Sequence, residues 1–289
     1  MAGLINDIRE FLAFHGFESS LQVRNGLEVL AMSARSSGES RLILPLSLDA
    51  ESMEEAEMQS EAAYEAACSL SETDEYPLII TEDRWINRRD MMQQRLLAHL
   101  EVFIPIYARN CEVRRIDKST AAEFLSMTHS YGDASCRYRY GLFLKRYTGA
   151  RKIHPGEGPL PGELVAVATF SNARRWNKEG KEIRSHEWTR YASLPGVRIN
   201  GGMGKLLTEF IREAEPDDIM TYADLEWSKG DVYIRLGFTL EGHKAPVIFE
   251  VDDQWKRFPV KPGMTVSTGN LYFRNFGSNK FRLKLTDYE

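Results

Sequence analysis

Cysteine is scarce in this 289-residue chain: Cys68, Cys111 and Cys136 stand far apart, with no Cys-x-x-Cys pair. That spacing excludes a disulfide framework and a zinc knuckle, and no metal site is expected. Long apolar runs are missing too, none approaching the roughly 20 residues that a membrane-crossing helix needs. The opening MAGLINDIREF carries acidic residues where a secretory signal would carry positive charge. A cytoplasmic protein without a membrane partner is the expectation. Basic residues are absent between Leu46 and Pro77, a stretch with ten Asp and Glu. The rest of the chain holds 37 basic against 32 acidic residues, so a body of about +5 lies within an overall charge of −5. A mildly basic body is compatible with DNA as a partner, although many enzymes show the same imbalance.

What is present is enough hydrophobic sequence, 43%, for one large or two ordinary domains. Periodicity gives a helix around Leu4–Leu12, strands over Leu27–Met32 and Arg41–Leu48, an acidic helix over Ala50–Leu70, a loop over Ser69–Pro77, a strand over Leu78–Thr81 and a helix over Asn87–Leu100. A second series follows. Glu112–Ile116 is a strand and Thr120–Met127 a helix capped by Ser119. Arg139–Arg146 and Leu164–Phe170 form a hairpin across the Gly/Pro-rich KIHPGEGPLPGE. Glu187–Ser193 is a strand, Met203–Ala214 a helix, Ile219–Glu226 a strand, Asp231–Leu236 a short helix and Val247–Val251 a closing strand. The expected class is α/β (α+β): a mixed sheet flanked by helices over 112–251, a smaller N-terminal α/β domain over 1–111, and a C-terminal β extension over 252–289.

The most informative junction is RYASLPGVRINGGMGKLL, where a strand and loop run through Gly201, Gly202 and Gly204 into an amphipathic helix. A helix start exposes backbone N–H groups and the positive end of the dipole, and glycine allows a pyrophosphate close approach. A structural turn explains the same glycines equally well.

Three stretches in order, GELVAVATF, the Arg-x-x-Gly-Gly-x-Gly turn from Arg198 and VYIRLGF, resemble the cofactor-binding core of GNAT acyltransferases. The family spacing is Gln/Arg-x-x-Gly-x-Gly/Ala, which Arg198 meets only relative to Gly201. The resemblance implies acetyl-CoA or another acyl-CoA as cofactor, held by Arg198, Gly201, Gly202, Met203, Gly204 and Lys205. Four further stretches, THSYGDA from Thr128, EWTRYAS from Glu187, YADLEWSKGDVY from Tyr222 and RLGFTLEG, are similar to the Mom-type phage DNA-modification branch. In that branch a His-containing turn, a strand with Glu and Arg, and an Ala-Asp strand followed by Gly-x-x-Tyr surround the active site. The resemblance covers about half of the chain and implies transfer of an acyl-CoA-derived group to a nucleobase amine. EDRW from Glu82 and YARNCEV from Tyr107 are similar to stretches that precede this domain in phage proteins with a nuclease-like part. Residues 1–110 hold no intact Asp…Glu-x-Lys site, so a degenerate nuclease-like or recognition domain is expected there.

Each residue has two readings. Asp224, at the end of a central strand, suits a carboxylate that takes a proton from the attacking amine or orients it, or else an N-cap or salt-bridge carboxylate. Tyr233 matches the phenol that many GNAT enzymes offer to the departing thiolate, or else is a packed tyrosine. Arg190, among apolar neighbours, needs an anionic partner if buried. Strand alternation sets it and Glu187 on opposite faces, against a direct pair. His129 and Tyr131 lie in the turn where a target base would enter, though a lone turn histidine is more often a surface residue. RYRY from Arg137 and RRWNK from Arg174 offer phosphate contacts and stacking, or ordinary solvated strands. Trp176, Trp188 and Trp227 are the candidates for a base-displacing wedge. The reading is a CoA-dependent transferase on a nucleobase amine. The alternatives are an N-acetyltransferase of a small amine or protein lysine, and a non-catalytic nucleic-acid-binding module.

Overall fold

The computed structural model describes residues 2–73, 76–147, 158–261 and 269–288. It has two units, each assembled from separate segments: Met1–Val102, Ala223–Gly230 and His243–Asn279 form the first, and Phe103–Tyr222, Asp231–Gly242 and Lys280–Glu289 the second. The chain therefore leaves and re-enters each unit, whereas the sequence divides it at 111/112 and 251/252. Among the described residues no helix is long and apolar enough to cross a membrane.

In the first unit α1 (Ala2–Phe14) leads into β1 (Ser20–Arg24), β2 (Leu27–Ser33) and β3 (Ser40–Leu46). Then α2 (Met53–Thr73) crosses over to β4 (Leu78–Thr81), followed by α3 (Glu82–Asn87) and α4 (Arg89–His99). The sheet order is β1-β2-β3-β4, antiparallel except for the parallel β3–β4 pair that the α2 crossover requires. Alternation builds two cores. Leu30, Ile43, Leu78 and Ile80 pack with Leu4, Ile8 and Leu12 of α1 and Leu96 of α4, while Val29, Leu42, Leu44 and Ile79 pack with Ala63, Ala67 and Leu70 of α2. The acidic helix thus has a buried seam of small residues, and it runs to Thr73 where a loop was expected from Ser69.

The second unit begins with β5 (Ile104–Tyr107), β6 (Cys111–Arg115), α5 (Lys118–Thr128), β7 (Tyr138–Leu144) and β8 (Leu164–Phe170). It continues through β9 (Arg174–Lys178), β10 (Lys181–Ser193), β11 (Val197–Asn200), α6 (Gly202–Ala214), β12 (Asp218–Asp224), α7 (Asp231–Arg235) and β13 (Thr239–Lys244). The first half of KIHPGEGPLPGE lies outside the described residues. Asp117 caps α5, its carboxylate accepting the Thr120 N–H at 2.7 Å. Ser119, the cap expected from sequence, instead donates its hydroxyl to Asp117, because the side chain that reaches the third helical N–H must precede the first turn.

The C-terminal region departs furthest from expectation. β14 (Ile248–Val251), expected to close the large sheet, pairs instead with β15 (Arg257–Pro259) and β16 (Leu271–Arg274) in the first unit. The large sheet has the order β13-β17-β12-β10-β8-β7-β6, with β9 on β10. Its strand between β13 and β12 is β17 (Ser278–Lys284). Ser278–Lys284 is therefore an internal strand and not an extension. Phe281 explains the strand's place, buried against Tyr233 with ring centroids 5.5 Å apart.

Candidate active site

Two strands of the second unit part company. β10 and β12 run parallel with only three residue pairs, Ser185 to Asp218, His186 to Ile219 and Glu187 to Met220. Beyond them the last link is a side chain: Thr221 Oγ1 donates to the Trp188 carbonyl at 3.1 Å. From there β10 continues to Ser193 with β8 on one edge, and among the described residues no strand pairs with its other edge. Tyr233 of α7 hydrogen-bonds to Thr221 and packs against Trp188, Phe238 and Phe281. Its hydroxyl therefore stands at the apex of the opening, and burial holds the phenol above its ordinary value near 10.

The glycine turn starts α6. Gly201 adopts the left-handed conformation (φ 77°) as N-cap and offers no side-chain cap, so the first-turn N–H groups keep their anion-binding capacity. Gly202 has a packing reason: a Cβ there would lie 2.8 Å from Ile199 Cγ2 and 3.3 Å from Leu142 Cδ1. Lys205 Nζ donates to the carbonyls of Cys111 (2.6 Å) and Ala108 (3.0 Å), so its ammonium is engaged inside the protein. Arg198 lies over Phe103, 5.1 Å from the ring centre. Met203 is half-buried. An acyl-CoA pyrophosphate would accordingly rest on backbone N–H groups here, with Lys205 bracing the helix.

A β-bulge decides the position of Arg190. Trp188 pairs with Phe170 and Arg190 with the next partner, Thr169, leaving Thr189 as the extra residue. Trp188 therefore points to the face where Phe170 stacks on Phe210 of α6, ring centroids 3.9 Å apart. Arg190, two residues on, points to the opposite face. There its Nε donates to the Gly132 carbonyl at 3.0 Å and its guanidinium lies 5.9 Å from the Tyr131 ring. His129 joins them: its Nδ1 accepts the Tyr131 N–H at 3.1 Å. The bulge also resets the alternation that separated Glu187 from Arg190, so both belong to this face. The structure thus brings Arg190, His129 and Tyr131 together around the turn that follows α5.

Asp224 falls in the first unit. Its carboxylate accepts the Glu226 N–H at 3.0 Å and lies 4.0 Å from Arg84. Around it is a buried ion cluster: Arg84 meets Glu226 at 2.7 Å, and Arg257 meets Glu226 at 3.0 Å and Asp83 at 2.5 Å. These contacts correspond to the salt-bridge alternative for Asp224. EDRW supplies Asp83 and Arg84 to this cluster from the first turn of α3. Trp227 packs against the first unit's core with Arg95 stacked 3.6 Å above its ring, and Trp188 is buried. Trp176 is half-buried on β9 against Tyr288. Among the described residues no group of three His, Cys, Asp or Glu side chains could hold a metal ion.

No family model and no curated protein matches the chain. Among solved structures it is similar to nourseothricin acetyltransferase over 61% of this chain and 99% of that one, with 12% identity and a TM-score of 0.33. It is similar to a spermidine N-acetyltransferase chimera from Vibrio cholerae and hSSAT over 61% and 96%, with 10% identity and a TM-score of 0.32. A histone acetyltransferase and related acetyltransferase from Corynebacterium glutamicum matches over 52% and 66%, with 14% identity and a TM-score of 0.28. These are distant likenesses to part of the chain.

Sequence reasoning missed Thr221 and Thr189, and it singled out Arg139 only as part of RYRY. No local pattern marks a bulge residue, and Thr221 matters only because the strands part beside it.

Proposed function

We propose that the second unit is an acyl-CoA-dependent acyltransferase of the GNAT type whose acceptor is a primary amine, in the leading reading the exocyclic amine of a nucleobase in DNA. The observation that carries this is the opening between β10 and β12, with Tyr233 hydrogen-bonded at its apex through Thr221 to Trp188. An unpaired strand edge can take up an amide-bearing chain as an added strand. The uncapped start of α6 suits a pyrophosphate. The bound cofactor would supply an activated thioester. The acceptor nitrogen forms the new C–N bond as the C–S bond breaks, the ammonium loses a proton and the sulfur gains one. Tyr233, kept protonated by burial, is the proton donor to the sulfur. Glu187 is the carboxylate that shares the face of Arg190, and it takes the proton from nitrogen.

The deciding experiment is mass spectrometry of nucleosides from DNA and RNA of cells expressing the full chain, alongside Tyr233→Phe and Glu187→Gln. A new nucleoside in the wild type, lost or reduced about 100-fold in either variant, is expected. Soluble protein with no new nucleoside, but with acetylation of a small amine or protein lysine in vitro, would move the acceptor to those classes. Failure to bind acetyl-CoA by calorimetry would leave the non-catalytic binding module. Asp224→Asn is the companion variant: a fall in rate at unchanged folding stability would restore Asp224 as the proton acceptor.

A further inference from the structure

The sheet of the second unit carries two arginines that form no ion pair among the described residues. Thr169 of β8 is the partner of Arg139 on β7 and of Arg190 on β10. The three residues therefore form one row across adjacent strands, on the face that α5 covers further along through Ala121, Phe124, Val167 and Ala192. Past the end of α5 the turn from His129 to Cys136 covers the row, since Gly132 accepts from Arg190 and the Cys136 thiol hydrogen-bonds to Thr169 with Arg139, Asp133 and Arg190 close by. Among the described residues neither arginine forms an ion pair. Arg190 gives its hydrogen bonds to the neutral carbonyls of Gly132 and Thr189. The Nε of Arg139 is buried with no acceptor, and Oδ1 of Asp133, in the same pocket, is buried with no donor.

Two half-buried guanidiniums in a row, one with an unanswered N–H, are costly unless an anion joins them. The geometry points to an anion subsite formed by Arg139 and Arg190, and we propose that it holds a phosphate of the acceptor whose amine reacts. This assignment of the acceptor's charge rests on the acyl-transfer reading, while the anion site itself does not. It favours a nucleotide-type acceptor and opposes a polyamine, which two arginines would repel. The phosphate could belong to a free nucleotide or to a nucleic-acid backbone.

Binding to the full-length wild type is measured by calorimetry with 2′-deoxyadenosine, its 5′-monophosphate, a short single-stranded oligodeoxyadenylate and spermidine, and separately with acetyl-CoA. The monophosphate should bind at least tenfold more tightly than the nucleoside. That advantage should be lost in Arg139→Gln and Arg190→Gln with circular dichroism unchanged, and retained in Arg89→Gln, whose exposed side chain pairs with Asp7. Should Arg139→Gln not fold, Arg139→Lys serves: it keeps the charge, loses the Nε donor, and should lower affinity for the monophosphate by less than the glutamine change at Arg190. Tighter binding of the oligonucleotide than of the monophosphate assigns the phosphate to nucleic acid, and equal binding assigns it to a free nucleotide. Equal affinity for nucleoside and monophosphate, preference for spermidine, or folded arginine variants that bind as the wild type would each overturn the proposal. If the arginine dependence holds but acetyl-CoA does not bind, the anion site stands and the acyl-transfer reading falls.

Discussion

Arg257 shows how much one side chain can be asked to hold. Its guanidinium donates to both oxygens of Asp83 (2.5 and 3.0 Å), both oxygens of Glu226 (3.0 and 3.2 Å) and Thr81 Oγ1 (2.9 Å), and lies 3.9 Å from the Phe273 ring. Burial raises the Glu226 carboxyl, against the pull of Arg257 and Arg84, while the two arginines hold the Asp83 carboxyl below the usual range despite its burial. Removing Arg257 would leave two buried carboxylates short of a hydrogen-bonded partner. Arg257→Met is expected to lower unfolding free energy by about 3–5 kcal/mol in urea titration. Arg257→Lys should recover only part of this, because an ammonium cannot reproduce the fork. His99 supplies a pH signature. Its ring donates to the Leu42 carbonyl at 3.2 Å, and burial, together with Arg95 and Arg41, lowers its pKa to about 4. The unfolded chain takes up this proton near pH 6.5 and the folded chain only near pH 4, so stability falls as pH drops through that window. The loss should approach roughly 3 kcal/mol and be absent above pH 7. In His99→Gln the difference in urea midpoint between pH 7 and pH 4.5 should shrink; an unchanged difference would remove His99 as its source.

At the scale of elements, the start of α6 separates a glycine that packs from one that does not. A Cβ on Gly202 would crowd the branch point of Ile199 itself (Cβ at 3.0 Å), which cannot rotate away, whereas a Cβ on Gly204 would meet only Leu236 Cδ2 at 3.4 Å. Gly202→Ala should therefore cost about 1–3 kcal/mol. Gly204→Ala should be neutral or stabilise by roughly 0.5–1 kcal/mol, since alanine is the better helix former. Thermal unfolding of the two variants checks this. Acetyl-CoA titration of Gly204→Ala asks whether that glycine has a ligand reason in addition. The turn was legible in sequence, the packing demand on Gly202 was not, because the three glycines look alike until Ile199 and Leu142 are set beside one of them.

At the scale of the whole molecule, the strand order makes the second unit depend on the end of the chain. β17 lies between β13 and β12 in the large sheet, so a fragment cut at 112–251 would lose an internal strand. It would also carry β14, whose partners β15 and β16 lie beyond the cut. Such a fragment should show weak far-UV circular dichroism and no cooperative thermal transition, in contrast to the full chain. A folded 112–251 fragment would mean that the sheet closes without β17.

The sequence by itself determined the local elements and their alternation. Amphipathic period placed α1, α4 and α6, apolar runs placed β3, β4 and β8, and the glycine turn announced the start of a helix. Local chemistry suffices for these because each signal lies within a few turns of chain. Only the tertiary structure decided which strands are neighbours. Sheet pairing is a non-local choice, and β14 and β17 are both short amphipathic stretches that could close a sheet. The same holds for the site: Arg190, His129 and Tyr131 lie in separate stretches of sequence and meet only through the turn after α5, Arg139 joins them only through register, and one bulge residue, Thr189, determines which face Arg190 occupies.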